Sequence, residues 1–276
     1  MKLLSNIKTI KALISASLLA SVILSPTVNA DDKLKNILSA DHRTPAYKQR
    51  DQFRHPLETL SFFGIKDNMT VVEIFPGGGW YTEILAPYLK DNGSFYAANN
   101  NPESKSEFAR KSAARFKAKM ASNAVYDKVN ISVLEVPAKT EIAPPGTADM
   151  VLTFRNIHNW MKGGYAEDVF NAMYTALKPG GILGVVEHRG NPNIQQDPKA
   201  GSGYVNQSYA IQLAEKAGFK FVSSSEINAN AKDSKDHPKG VWTLPPTLAM
   251  QATDRQKYLA IGESDRFTLK FVKPAK

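Results

Sequence analysis

Apolar and polar residues follow one another along this chain with two different periods, and the switches between them mark out its elements. Val71-Val72-Glu73-Ile74-Phe75 is a short apolar run that predicts a strand. It breaks at Pro76-Gly77-Gly78-Gly79. Tyr81, Ile84, Leu85 and Leu89 then recur at helical spacing, so a strand, a glycine turn and a helix are expected in that order. Residues 94–98 predict a second strand, residues 103–120 a helix with a basic outer face, and residues 131–136 a third strand. Residues 148–154 are nearly all apolar, the pattern of a fourth strand covered on both faces. Residues 165–177 place Val169, Phe170, Met173 and Leu177 on one helical face, and Lys178-Pro179-Gly180-Gly181 stops that helix before a fifth strand at 182–187. A helix at 204–218 and a strand at 219–225 follow. Residues 265–273 alternate apolar and polar positions and predict a final strand close to a sheet edge. Strands and helices alternate for five rounds, which defines an α/β, Rossmann-like, doubly wound and mostly parallel sheet.

Upstream of this alternation, residues 31–40 predict a surface helix. Residues 55–64 predict another, with Pro56 in its first turn, Gly64 just past its end, and Leu57, Leu60, Phe62 and Phe63 turned to the sheet. Residues 31–69 thus form a helical extension ahead of a domain spanning 70–276. Before it lies a different pattern. Lys2, Lys8 and Lys11 precede an apolar run at 12–24 broken only by serines, and Val28-Asn29-Ala30 offers a cleavage site. Residues 1–30 therefore predict a secretory signal peptide and a periplasmic or secreted mature protein. The apolar run is shorter than the about 20 residues a spanning helix needs, so no stable membrane span is expected after cleavage.

Composition narrows the chemistry. The chain has no cysteine, which excludes both a lipid anchor on sulfur and disulfides. The leader carries three lysines and no acid, so its removal takes the formal charge from +9 to +6. That excess is spread along the chain, without a basic helix interleaved with aromatics, and no zinc spacing is present. Neither nucleic acid nor a resident metal is expected.

The candidate chemistry gathers at the strand ends. Gly77, Gly78 and Gly79 let backbone approach a ligand, and the helix that follows offers unpaired N–H groups to an anionic or polar molecule. His158, Asn159, Trp160, Glu187, His188 and Arg189 lie just past the carboxyl ends of the fourth and fifth strands, where open α/β sheets bind ligands. Two imidazoles converging there could serve as a general base. The dinucleotide fingerprint needs a small residue three places after Gly79; Thr82 stands there, which argues against nicotinamide.

Three stretches carry a family resemblance. VVEIFPGGG at 71–79 looks like the first motif of the class I S-adenosylmethionine-dependent methyltransferases, residues 148–154 resemble their fourth strand, and LKPGGIL at 177–183 resembles the turn before their fifth. GGGWYTEILAPYL, TFRNIHNW and KGVWTLPP together resemble a group of exported bacterial proteins of that class. The resemblance implies S-adenosylmethionine as cofactor and a small-molecule substrate. Gly77, Gly78 and Gly79 would face its methionine end, and Glu73 would orient the loop or take the amino group. Asn99 would hold the ribose, and Phe154, Arg155 and Asn156 would lie beside the cofactor. His158, His188 and Arg189 are the catalytic candidates. The chain departs from the family at Phe75, where glycine is usual, and at Asn99, where an acid is usual. A non-catalytic periplasmic binding protein on the same scaffold is the alternative.

Overall fold

The computed structural model describes residues 30–275; the signal peptide expected at residues 1–30 lies outside them but for Ala30. Four helices come first: α1 (Ala30–Ser39), α2 (Pro45–Lys48), α3 (Asp51–Arg54) and α4 (Pro56–Phe63). Then follow β1 (Thr70–Ile74), α5 (Thr82–Leu89), β2 (Ser94–Asn99), α6 (Glu107–Ala121), β3 (Val129–Val133) and β4 (Ala148–Phe154). The chain closes with α7 (Ile157–Gly163), α8 (Ala166–Ala176), β5 (Leu177–His188), α9 (Gln207–Lys216), β6 (Lys220–Ser225), α10 (Arg255–Ile261) and β7 (Arg266–Val272).

The seven strands form one sheet in the order β3-β2-β1-β4-β5-β7-β6. The pairs from β3 through β5 are parallel, and β7 runs antiparallel between β5 and β6. The order reverses between β1 and β4, so the carboxyl ends of those strands diverge into a crevice. The Rossmann-like sheet expected from the periodicity is therefore present, with its antiparallel strand one place in from the edge.

Period-two alternation divides the core. Val72, Ile74, Val151, Leu183 and Val185 turn to one face and pack with Trp160, Val169, Phe170 and Leu213 of α7, α8 and α9. Val71, Ala97, Met150, Leu152 and Val186 turn to the other and pack with Leu60, Phe63, Ile84, Leu85 and Phe116 of α4, α5 and α6. Residues two apart in a strand share a face, so β1, β2, β4 and β5 each contribute to both layers.

Four details differ from the sequence reading. The first helix is not a surface element: Leu34 and Ile37 are buried against the α5 side of the core. His158, Asn159 and Trp160, expected just past the fourth strand with no element assigned, belong to a helix, α7. The third strand begins at Val129 rather than at 131. The Lys178-Pro179-Gly180-Gly181 turn is continuous with β5, and the pairing with β4 shifts register between Ala148 and Met150 to admit it.

Candidate active site

At the end of β1 the chain must leave the sheet abruptly. Phe75 does so with φ of 44°, and Gly77 and Gly79 follow at 59° and 79°. A side chain in that region costs about 1–2 kcal/mol, which accounts for the glycine usual at the Phe75 position. Here the aromatic ring packs near Trp160, with centroids 6.5 Å apart, and partly offsets the strain.

Glu73, on β1, is buried, and its Oε2 accepts from the Thr82 hydroxyl at 2.7 Å. Burial pushes its carboxyl up to about 7, against the opposing pull of that hydroxyl and of the Arg155 charge. The carboxylate thus ties the strand end to the start of α5 and shapes the glycine turn between them. Gly77 and Gly78 are exposed, while Gly79 is covered. Tyr47 of α2 reaches the turn and donates its hydroxyl to the Gly78 carbonyl at 3.0 Å. A Cβ on Gly78 would stand 2.4 Å from that hydroxyl oxygen, so glycine there permits the close approach of the extension.

Asn99 ends β2 and is buried. Its Oδ1 accepts from the Asn100 backbone N–H at 2.7 Å, and its Nδ2 has no partner. A buried amide donor without an acceptor is costly, about 1–3 kcal/mol. A ribose hydroxyl oxygen would satisfy it, so the donor fits the nucleoside end of S-adenosylmethionine, though it lacks the double acceptor that a carboxylate offers.

Phe154 ends β4 and stacks on Tyr81, with ring centroids 3.5 Å apart and planes 11° off parallel. Arg155 follows in a left-handed conformation, φ 60°. Asn156 spends its amide nitrogen on the Ile74 carbonyl at 2.9 Å and on Thr153 Oγ1 at 3.3 Å, clamping β1 to β4. It is thereby a brace of the strand ends.

The second half of the site lies over β4 and β5. Glu187 is fully buried, and its Oε2 accepts from the backbone N–H groups of Ile157 (2.6 Å) and His158 (3.4 Å). It caps α7 from across the sheet, a negative charge at the positive end of a helix. Its Oε1 accepts from the His188 N–H at 2.8 Å and from His158 Nδ1 at 3.1 Å. That bond places the His158 proton on Nδ1 and leaves Nε2 as an acceptor.

His188 stands 5.3 Å from His158, ring centre to ring centre. Its Nδ1 lies 2.5 Å from the Ser264 hydroxyl, which also receives Arg266 Nε at 3.5 Å. Burial, with the nearby charges of His158, Arg266, Arg155 and Arg54, holds the His188 pKa well below the usual imidazole value. A neutral His188 that accepts from Ser264 carries its proton on Nε2 and acts as a donor. The two imidazoles therefore present opposite tautomers. Ligand atoms of His158, Glu187 and His188 lie within 4.8 Å of one another, close enough to suit a cation, although the Glu187 oxygens are already engaged by four donors. Arg189 is drawn the other way: it pairs with Glu226 at 2.7 Å and donates to the Arg266 carbonyl at 3.1 Å.

Three groups at this edge escaped the sequence reading. Arg54, Arg266 and Glu263 come from opposite ends of the chain and meet only in the fold, with Arg54 Nε 3.1 Å and Arg266 NH2 2.5 Å from Glu263 Oε2. No motif joins them, and Arg266, between Asp265 and Phe267, bears no local sign of its burial.

The sequence matches no known family model and no curated protein. Likeness appears in three dimensions. An S-adenosylmethionine-dependent methyltransferase from Aquifex aeolicus superposes with a TM-score of 0.55 at 15% identity, covering 88% of this chain and 98% of its own. One from Methanosarcina mazei gives 0.51 at 11% identity, with 79% and 97% covered. The [4+2]-cyclase SpnF gives 0.57 at 15% identity, with 86% of each chain covered. The chain has the Rossmann-like fold of the class I S-adenosylmethionine-dependent methyltransferases. The cyclase shows that this fold does not dictate one reaction, so the reaction must be argued from the site.

Proposed function

We propose that this protein is an exported S-adenosylmethionine-dependent methyltransferase that acts on a small-molecule acceptor. The observation that supports it is the buried Glu187–His158 pair at the carboxyl ends of β4 and β5, beside the glycine turn that ends β1. S-Adenosylmethionine supplies an electrophilic methyl group on a sulfonium. Gly77, Gly78 and Gly79, Glu73 through Thr82, and the free Asn99 amide are the groups that would hold it. Phe154 and Tyr81 form an apolar wall that excludes water.

His158 does the proton work. Glu187 fixes its ring and keeps the proton on Nδ1, so Nε2 can take a proton from a hydroxyl or amine nucleophile. His188, neutral and donating from Nε2, orients the same nucleophile or a neighbouring oxygen. Arg189 supports this wall through its pair with Glu226.

The test is calorimetry on the mature protein with S-adenosylmethionine and S-adenosylhomocysteine, followed by transfer of labelled methyl to a pool of small molecules. Saturable heat and a labelled product are expected. His158→Gln should retain S-adenosylhomocysteine affinity and lose about 10²–10⁴-fold in turnover. An absence of heat at millimolar ligand would overturn the assignment. Export is read from the intact mass of the cellular protein, which should begin at Asp31; a mass including the leader would remove it.

A further inference from the structure

Three guanidinium groups contact one carboxylate at the site's edge, and the charge of a fourth, Arg155, acts on it. Arg50 Nε lies 2.5 Å from Glu263 Oε1, and Arg54 and Arg266 share Oε2. Their charges, with that of Arg155, hold the Glu263 pKa down at about 2 although its burial pushes the other way. Arg54 and Arg266 are buried, and Arg155 is half-buried. Four positive charges against one negative leave an excess of three. The other acids at this edge do not offset it. Asp265 faces Arg189 at 3.6 Å and Lys235 at 2.9 Å, and Glu187 is engaged by backbone N–H groups and His158.

Arg155 is the member without a direct partner. Its guanidinium makes no hydrogen bond or ion pair among the described residues, and its backbone holds a left-handed conformation. Burial, and then the charge of Arg266, draw its pKa down to about 10, so it stays charged at neutral pH. It follows Phe154 at the end of β4, where its N–H donates to the Val186 carbonyl at 2.7 Å and its neighbour Asn156 reaches the Ile74 carbonyl, so it stands between the ends of β1 and β5, the two halves of the site. A half-buried guanidinium with no protein partner has its fork of donors free, and a bidentate oxyanion is its natural complement. The cofactor's sulfonium is a cation and cannot supply it, which leaves the cofactor's carboxylate as the competing occupant.

We propose that Arg155, backed by Arg54 and Arg266, receives an oxyanion of the methyl acceptor, a carboxylate or phosphate group, so that the acceptor is an anionic small molecule. The acceptor assignment rests on the methyltransferase reading; the anion pocket does not. With its anion on Arg155, such an acceptor would present its nucleophile toward His158 and His188.

The experiment is thermal unfolding and calorimetry of the full mature protein titrated with inorganic phosphate and with malonate at constant ionic strength, against chloride. Both anions are expected to bind saturably and raise the melting temperature. Arg155→Gln should weaken them at least tenfold, and Arg155→Lys, which keeps the charge but not the fork, by an intermediate factor. Circular dichroism confirms that each variant folds, and the lysine variant carries the test should the glutamine variant fail. S-Adenosylhomocysteine affinity is measured alongside in all three proteins. An anion effect absent from the wild type, or equal in all three proteins, overturns the inference. So does a loss of S-adenosylhomocysteine affinity in Arg155→Gln that leaves 5′-methylthioadenosine binding intact, because the pocket would then serve the cofactor's own carboxylate. Anion binding without any S-adenosylhomocysteine binding would keep the pocket and fell the methyltransferase reading instead.

Discussion

Glu73 shows how one side chain can be costly to the fold and still be retained. In the unfolded chain its carboxyl titrates near 4.5, and in the folded protein near 7. Between those values the folded state binds more protons than the unfolded state, so stability falls as pH rises. The contribution is fully present below 4.5 and is lost by the time pH passes 7. A difference of that size corresponds to about 3 kcal/mol. Glu73→Gln keeps an acceptor for Thr82 and removes the titration. Urea unfolding of the two proteins from pH 4.5 to 8 should give curves that coincide in acid, with the wild type falling below the variant toward neutral pH. Parallel curves would show that Glu73 is not desolvated in solution. The sequence revealed an acid inside an apolar run, but it did not reveal that Thr82 is its partner. Nine residues separate them, and only the turn between strand and helix closes the gap.

At the scale of elements, patterns with their own period were legible and contacts supplied from elsewhere were not. The alternation in residues 265–273 gave β7 correctly. Its polar positions do not face water, however. Arg266 reaches the Phe53 carbonyl, Thr268 receives the Asn228 amide, and Lys270 reaches the Phe62 carbonyl. The helices before the sheet cover that face, and alternation alone cannot say what covers it. The seven-residue α7 was missed for a related reason, since its first-turn N–H groups are capped by Glu187 thirty residues onward. Helix α4 was recognised from Pro56 and Gly64, and it presses on the sheet at Gly184. A Cβ there would lie 2.7 Å from Leu152 Cδ2 and 2.9 Å from the Phe63 ring. The φ at Gly184 is ordinary, so the constraint is steric. Gly184→Val should cost about 1–3 kcal/mol through overpacking. Phe63→Leu in the same background should recover part of it, as the denaturation midpoints of the single and double variants would show.

Across the whole molecule, the N-terminal extension is fastened to the Rossmann-like core at two buried acids, Glu263, which holds Arg50 and Arg54, and Glu83. Glu83 of α5 accepts from the Thr44 N–H at 2.9 Å and hydroxyl at 2.6 Å, and from Lys119 of α6 at 2.6 Å. Three segments remote in sequence thus converge, which is why no local pattern announced them. The fastening carries Tyr47 onto the glycine turn, where its hydroxyl meets the Gly78 carbonyl and its own carbonyl accepts from the Trp80 indole at 3.1 Å. Tyr47 thus stands against the turn, where it would bear on the kinetics of a ligand bound there as well as on the shape of the site. Tyr47→Phe removes one hydrogen bond, worth about 1 kcal/mol, and leaves the ring in place. If the bond holds the extension closed over bound S-adenosylhomocysteine, dissociation should quicken about fivefold. Stopped-flow indole fluorescence would follow this through Trp80, with Trp80→Phe as the silent control. An unchanged dissociation rate would mean that the extension rests on the core without gating it, and that the glycine turn is reached from the Asn99 side.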